Sequence, residues 1–173
     1  MKETLEVINQ MQVERVIGQY AIGGAVGATF YLEPSATLDI DIFVALENPQ
    51  GSPLVTLGQV YDHLRSRGYR AEREHVLIEG WPVQFLPASS ALEHEGIEQA
   101  VETDVEGART RVMTAEHLVA VALRTGRAKD LARILQFVES GALDAAKLDA
   151  VLKRHGLIEK WEQFERKFLR GNA

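Results

Sequence analysis

The sequence predicts an α+β fold in which a strand-containing first half precedes a mostly helical second half. In the first half, short runs rich in β-branched and aromatic residues are bounded by glycine and proline. In the second half, apolar residues recur mainly at helical spacing. We therefore expect a core unit over residues 1–88 and a mostly helical C-terminal subdomain over residues 89–173. The two are expected either as separate units or as one compact body.

Composition narrows the class of protein. The hydrophobic share of 46% and the charged share of 25% are ordinary for a soluble globular protein. No apolar run is long enough to span a membrane and the N-terminus is charged, so we expect a cytoplasmic protein of bacterial type without a membrane partner. With no cysteine, disulfides and thiolate metal sites are excluded. A formal charge of −6 argues against broad non-specific nucleic-acid binding but is compatible with a local basic cleft.

The elements of the first half follow from local patterns. Leu5, Ile8 and Met11 predict an amphipathic helix over the first fourteen residues. A short strand is predicted over residues 16–22 and a helix over residues 25–32.

A second strand is predicted over residues 38–45, followed by a loop at residues 48–53. Apolar residues from Leu54 to Leu64 then predict a helix. Residues 69–78 and 82–86 read as two strands of a hairpin.

The second half reads as helices with one short strand at residues 109–113. Thr114 fits the N-cap of a helix. Further helices are predicted over residues 129–139, 144–155 and 158–169, of which the last carries an aromatic stripe for a core or a partner subunit.

Two aspartates in the second strand are the leading site candidates. Because side chains two residues apart in a strand share a face, Asp39 and Asp41 are expected side by side, with Ile40, Ile42 and Val44 buried on the other face. Paired carboxylates beside a core are costly unless they are neutralised, and Mg²⁺ or Mn²⁺ prefers such oxygen ligands. The alternative is an edge strand whose polar face simply meets water.

Gly23-Gly24 closes the first strand and opens the next helix. Glycine lets backbone N–H groups approach a ligand closely, and a helix start favours phosphate. The alternative is a tight turn without a ligand.

These residues together resemble a known signature. Ile22-Gly23-Gly24 followed by Thr37-Leu38-Asp39-Ile40-Asp41 is similar to the Gly-Gly…Asp-x-Asp motif of the polymerase-beta-like nucleotidyltransferase superfamily. The likeness covers about residues 15–90 and is closest to small bacterial members, including abortive-infection-type toxin nucleotidyltransferases. The run Gly126-Arg127-Ala128-Lys129-Asp130 resembles a helical segment of the same proteins.

The resemblance implies a mixed sheet flanked by helices and a Mg²⁺-dependent transferase. A nucleoside monophosphate would pass from an NTP to a hydroxyl of a tRNA, a protein or a small molecule. Asp39 and Asp41 would be the catalytic residues and the ligands of two Mg²⁺ (or Mn²⁺) ions. The implied nucleotide-binding residues are Gly23, Gly24, Thr37, Lys129 and Asp130. A homodimer, or a cognate partner in a toxin–antitoxin pair, fits the same resemblance.

Several positions depart from the family pattern. Alternation places Gln84 where the family has a third carboxylate, and glutamine cannot act as a base. Glu74 or Glu79 on the preceding strand could compensate. Ala122 and Ser35 stand where relatives often have lysine and arginine. A catalytically degenerate nucleotide-binding or partner-binding module is therefore the alternative function.

The remaining polar candidates have structural interpretations. None of the five histidines has metal-ligand spacing, so each is expected at the surface or satisfied structurally. Ser89-Ser90 reads as a helix cap. Arg124 and Arg127 could add positive charge near the site, although surface solubility is the expected role of each. For Lys129 and Asp130 the alternative is a solvated first helical turn.

Overall fold

The computed structural model describes residues 1–33, 39–46 and 57–170, which form a seven-stranded sheet with helices packed on both faces. The strands are β1 (Tyr20–Ile22), β2 (Ile40–Val44), β3 (Ala71–Glu72), β4 (His75–Ile78), β5 (Trp81–Pro87), β6 (Val101–Val105) and β7 (Ala108–Val112). The helices are α1 (Lys2–Val13), α2 (Gly24–Ala28), α3 (Gly58–Ser66), α4 (Ala91–Glu98), α5 (Ala115–Thr125), α6 (Ala128–Ser140), α7 (Ala145–Arg154) and α8 (Ile158–Phe164). The α+β class is the predicted one.

The sheet has the order β3-β4-β5-β2-β1-β7-β6. It is mixed, because β2 pairs parallel with β5 and β1 pairs parallel with β7, whereas the other neighbours are antiparallel. No helix within the described ranges has both the length and the apolar character needed to cross a bilayer.

One face of the sheet is covered by α1 and α3. Ile40, Ile42 and Val44 are fully buried there, as the alternation of β2 predicts. Full burial of one such side chain stabilises the fold by roughly 1.5–3 kcal/mol, so this face anchors β2 firmly. Its partners from the two helices are Leu5, Ile8, Met11, Val60 and Leu64.

The other face is covered by the C-terminal helices. Phe43 lies on this face and shares a core with residues of α4, α5, α6 and α7. The aromatic stripe joins the same core: Phe164 is buried, with ring centroids 5.4 Å from Trp161 and 5.1 Å from Phe168. Phe168 belongs to a π-helical turn, Glu165–Leu169, that continues α8. Of the two interpretations of the stripe, core packing is the one observed.

The sheet extends past the predicted boundary at residue 88. The single strand predicted at residues 109–113 is in fact a hairpin of β6 and β7, and Val112 pairs with Ile22 of β1. The sequence concealed β6 because it is an exposed edge strand, in which Glu102 and Asp104 replace the expected apolar residues. The division into two domains stays a prediction, and one sheet spans its boundary.

Three other boundaries differ from prediction. Residues 69–78 form two strands rather than one, because the chain reverses at Arg73 with φ of 59°. β1 and α2 are shorter than predicted. The hairpin of β4 and β5 is confirmed, and its Glu79 and Gly80 both have positive φ, typical of a two-residue turn. The predicted loop at residues 48–53 and Leu54 lie outside the described residues.

A carboxylate on α4 ties three helices together. Glu95 contacts Arg154 and His155 at the end of α7 and His117 on α5. The hydrogen bond from Arg154, followed by those from the two histidines, holds the pKa of Glu95 at about 2 against the opposing effect of burial. His117 and His155 therefore have the structural role predicted for them.

Candidate active site

A cleft of about 490 Å³ opens between the sheet and helices α5 and α6. It lies on the face of β2 that carries Asp41 and Phe43. Its lining includes Gly24 and the polar residues Asp39, Asp41, Gln84, Arg127, Lys129, Asp130 and Arg133. Most residues predicted for the site therefore meet in one place, although they come from four separate segments.

The two aspartates occupy the sheet side of the cleft. Asp39 is half exposed, whereas Asp41 sits deeper on β2. Burial raises the pKa of Asp41, and the nearby charge of Asp39 raises it further. Lys129 and two arginines act in the opposite direction. Asp41 is thus a carboxylate that gains from any further positive charge in the cleft.

Gly24 is required by the geometry around Asp41. It has φ of +57°, and a Cβ added there would stand 1.8 Å from Oδ2 of Asp41. Gly23 has a different reason to be glycine, because a Cβ would stand 2.4 Å from Cε2 of Phe43. Its N–H also donates to the backbone oxygen of Asp41 at 2.9 Å. Gly24 reaches the cleft, while Gly23 fixes the turn against β2.

Gln84 stands directly beside Asp41, since the parallel register of β2 and β5 pairs the two residues. This is the position expected for the third carboxylate. Its Nε2 donates to Oε2 of Glu74 at 3.4 Å. Glu79 instead accepts a hydrogen bond from the Tyr69 hydroxyl at 2.6 Å and does not line the cleft. Of the two acids that could compensate, only Glu74 contacts a residue of the cleft, namely Gln84.

The opposite side of the cleft is cationic. Asp130 is 2% exposed, so the solvated alternative for this residue is wrong. It accepts a hydrogen bond from Nε of Arg127 at 2.7 Å and lies 3.7 Å from Nη1 of Arg133. Arg127 lines the cleft rather than serving solubility alone, and Lys129 lies next to it.

Arg133 was not identified from the sequence. The available signal was its spacing, since Arg127, Asp130 and Arg133 recur every three residues and so share one side of α6 and its N-cap. This spacing predicts that Asp130 forms ion pairs with both arginines. It does not predict that the arginines line the cleft.

Arg124 also departs from the solubility interpretation. It bonds the side chains of Ser90 and Glu93, which form the capping box at the start of α4 and confirm the predicted helix cap. Ala122 lies in the cleft wall. Thr37 and Ser35 lie outside the described residues.

His75 adds a contact that spacing could not reveal. Its Nε2 lies 3.5 Å from Oδ2 of Asp39. Even so, no group of three or more histidine, aspartate or glutamate side chains within the described ranges is arranged to hold a metal ion. The oxygen donors of the cleft that could do so are the carboxylates of Asp39 and Asp41 and the amide oxygen of Gln84.

No protein-family model matches the chain, and no curated protein matches it by sequence. The antibiotic-resistance factor ANT(2'')-Ia matches by structure with a TM-score of 0.56 and 15% identity, covering 98% of this chain and 100% of that one. An antigenic nucleotidyltransferase-like protein from Paracoccidioides brasiliensis matches with a TM-score of 0.55 and 14% identity, covering 92% of each chain. The chain has the nucleotidyltransferase fold.

The likeness extends over both halves of the chain. A structure of ANT(2'')-Ia in complex with adenylyl-2''-tobramycin matches with a TM-score of 0.51 and 16% identity, over 91% of this chain and 98% of that one. The likeness in fold therefore includes the C-terminal helices as well as the strands of the first half. This agrees with the superfamily resemblance of the Gly-Gly and Asp-x-Asp runs.

Proposed function

We propose that the protein transfers a nucleoside monophosphate from an NTP to a hydroxyl acceptor, using a divalent metal held by Asp39 and Asp41. The observation that carries the proposal is the cleft itself, in which this carboxylate pair faces the cations of α6 in a nucleotidyltransferase fold. Such a cleft complements a triphosphate with its metal, because the carboxylates would attract the metal ion and the cations would attract the phosphates.

The donor set of the cleft fits Mg²⁺ or Mn²⁺. Both ions prefer oxygen ligands, and Asp39, Asp41 and Gln84 supply only oxygens toward a cation. The raised pKa of Asp41 reflects burial and the charge of Asp39, and a cation bound beside it would offset both effects. When bound, the metal would neutralise phosphate charge and favour ionisation of the attacking hydroxyl.

The chain's own residues would bind and orient the triphosphate. Arg127, Lys129 and Arg133 offer positive charge, and the arginines keep their positions through Asp130. Gly24 leaves room for the carboxylate of Asp41 beside the cleft, because a Cβ at Gly24 would overlap its Oδ2. Gly23 and Thr37 are assigned to the triphosphate by the family resemblance alone. Catalysis would come mainly from positioning and from neutralised charge.

Label transfer tests the proposal. The protein is incubated with Mg²⁺ and each of the four α-³²P-labelled NTPs, in the presence of tRNA, protein or small-molecule fractions of a cell extract. Label should appear in one fraction and be lost with Asp39→Asn or Asp41→Asn. Asp62→Asn, an exposed acid on α3, is the matched control and should leave transfer unchanged. Folded wild-type protein that labels none of the fractions would contradict the proposal.

A second candidate is a nucleotide-binding or partner-binding module of the same fold that has lost catalysis. The glutamine beside Asp41 in the sheet favours it. In this case an NTP raises the melting temperature of the wild type but not of Asp39→Asn, and no label is transferred. Transfer that appears only in Gln84→Asp would establish the lost acid as the cause. A toxin–antitoxin role predicts that expression arrests growth and that a neighbouring gene relieves it.

A further inference from the structure

The amide of Gln84 has two unlike ends, and only one of them suits a metal site. Its oxygen is a neutral ligand for a cation, whereas its NH₂ group presents two donor hydrogens that repel one. Gln84 pairs in register with Asp41, so whichever end turns that way meets a carboxylate. The orientation of this amide decides whether the third position supports the proposed metal or opposes it.

The two aspartates alone would attract the NH₂ end of the Gln84 amide, which cannot bind a metal ion. Carboxylates are strong hydrogen-bond acceptors, so the NH₂ group of Gln84 is attracted toward Asp41 and its neighbour Asp39. A carboxamide turned that way would satisfy Asp41 internally and occupy the position of a cation. The chain therefore needs a competing acceptor on the far side of Gln84.

Glu74 is that acceptor. The reversal at Arg73, with φ of 59°, ends β3 and brings Glu74 to the start of β4, next to β5. There Oε2 of Glu74 accepts a hydrogen bond from Nε2 of Gln84 at 3.4 Å. Glu74 itself does not line the cleft, so it acts through Gln84.

We propose that Glu74 is a positioning residue that draws the NH₂ group of Gln84 away from Asp41, so that the amide oxygen becomes the third, neutral ligand of the metal. The inference rests on the proposed function, because it assumes that Asp39 and Asp41 bind the metal. In the family pattern a third carboxylate presents an oxygen to the metal by itself. Here Gln84 presents the oxygen, and Glu74, which lies outside the cleft, sets its orientation. A carboxylate has two equivalent oxygens and needs no such partner.

Binding of Mn²⁺ alone, followed by the loss of its free-ion electron paramagnetic resonance signal, tests the assignment without relying on turnover. Glu74→Ala should weaken Mn²⁺ binding about 10-fold, the lower end of the range for outer partners of metal ligands. Glu72→Ala is the matched control, since it removes another exposed glutamate from the same hairpin without touching Gln84. Glu74→Gln should recover most of the affinity, because its amide oxygen can still accept the hydrogen bond.

The same comparison in a Gln84→Glu background isolates the amide. Here Glu74→Ala should weaken Mn²⁺ binding no more than Glu72→Ala does, since the carboxylate presents an oxygen in either orientation. Equal effects of Glu74→Ala and Glu72→Ala in the wild-type background would overturn the inference. A loss of affinity from Glu74→Ala that is equally large in the Gln84→Glu background would also overturn it.

Asp41→Asn distinguishes a failure of the Glu74 positioning role from a failure of the proposed metal site. If this variant abolishes Mn²⁺ binding while Glu74→Ala has no effect, only the positioning role fails. If the wild-type protein binds no Mn²⁺, both proposals fail.

Discussion

Replacing Gly24 with alanine tests how strictly the turn after β1 is fitted to the carboxylate of Asp41. The new Cβ would stand 1.8 Å from Oδ2, and ordinary van der Waals contact begins at 3.4 Å. The carboxylate must therefore move by about 1.6 Å or the turn must open. The φ of +57° adds roughly 1–2 kcal/mol of backbone strain, because alanine disfavours left-handed conformations.

Gly80→Ala is the matched control. Gly80 has φ of +83°, but an added Cβ would have no neighbour within 4 Å. Gly80→Ala should lose roughly 1–2 kcal/mol of unfolding free energy in urea from backbone strain. Gly24→Ala should lose at least as much, because its Cβ also overlaps the carboxylate of Asp41. Only Gly24→Ala should also lose Mn²⁺ binding, and with it about 100-fold in the rate of label transfer, since a displacement near 1 Å has that order of effect. Wild-type Mn²⁺ affinity in a folded Gly24→Ala protein would refute the reasoning.

Two further predictions concern stability. Asp130→Asn should lower the unfolding free energy by about 2 kcal/mol in urea, because it removes the buried charge that pairs two arginines, one of them well exposed. Asp149→Asn breaks an exposed pair and should change it by less than about 0.5 kcal/mol; equal losses would contradict the role of burial. Hydrogen bonds, of which the one from Arg154 has the largest effect, hold the pKa of Glu95 at about 2, below the usual 4.5. The stability that Glu95 contributes to the folded protein is therefore complete above about pH 5 and is lost as the pH falls toward 2. Glu95→Gln should thus unfold more easily than wild type by about 1–2 kcal/mol at pH 7 but not at pH 2, while a constant difference, or the same trend in Glu98→Gln, would argue against this linkage.

The sequence predicts the β2 side of the cleft well, because the two-residue period of a strand is a local property. Asp39 and Asp41 could be assigned to one side and Ile40 and Ile42 to the other without knowledge of the neighbours. The position of Gln84 followed from the same alternation, and the register with β2 agrees with it.

The other side of the cleft depends on contacts distant in sequence, which no local pattern reports. Arg133 comes to the cleft only because α6 packs beside α5. The contact of Glu74 with Gln84 needs the reversal at Arg73, within a segment that reads as one continuous strand. The sequence did not predict β6, because an edge strand exposed to solvent can carry charged residues, and these are also typical of loops.

The parallel pairing of β1 with β7 has a consequence for how the chain folds. The hydroxyls of Tyr20 and Thr110, which bond across these strands, are 90 residues apart in sequence. During synthesis the middle of the sheet therefore keeps an open edge until more than half of the chain has emerged. Pairing at such separation slows folding, because the entropy of closing the loop is lost before the contacts form. Until β7 arrives, the nascent chain presents β1 as an unpaired edge, and this is the stage at which we expect it to depend most on chaperones.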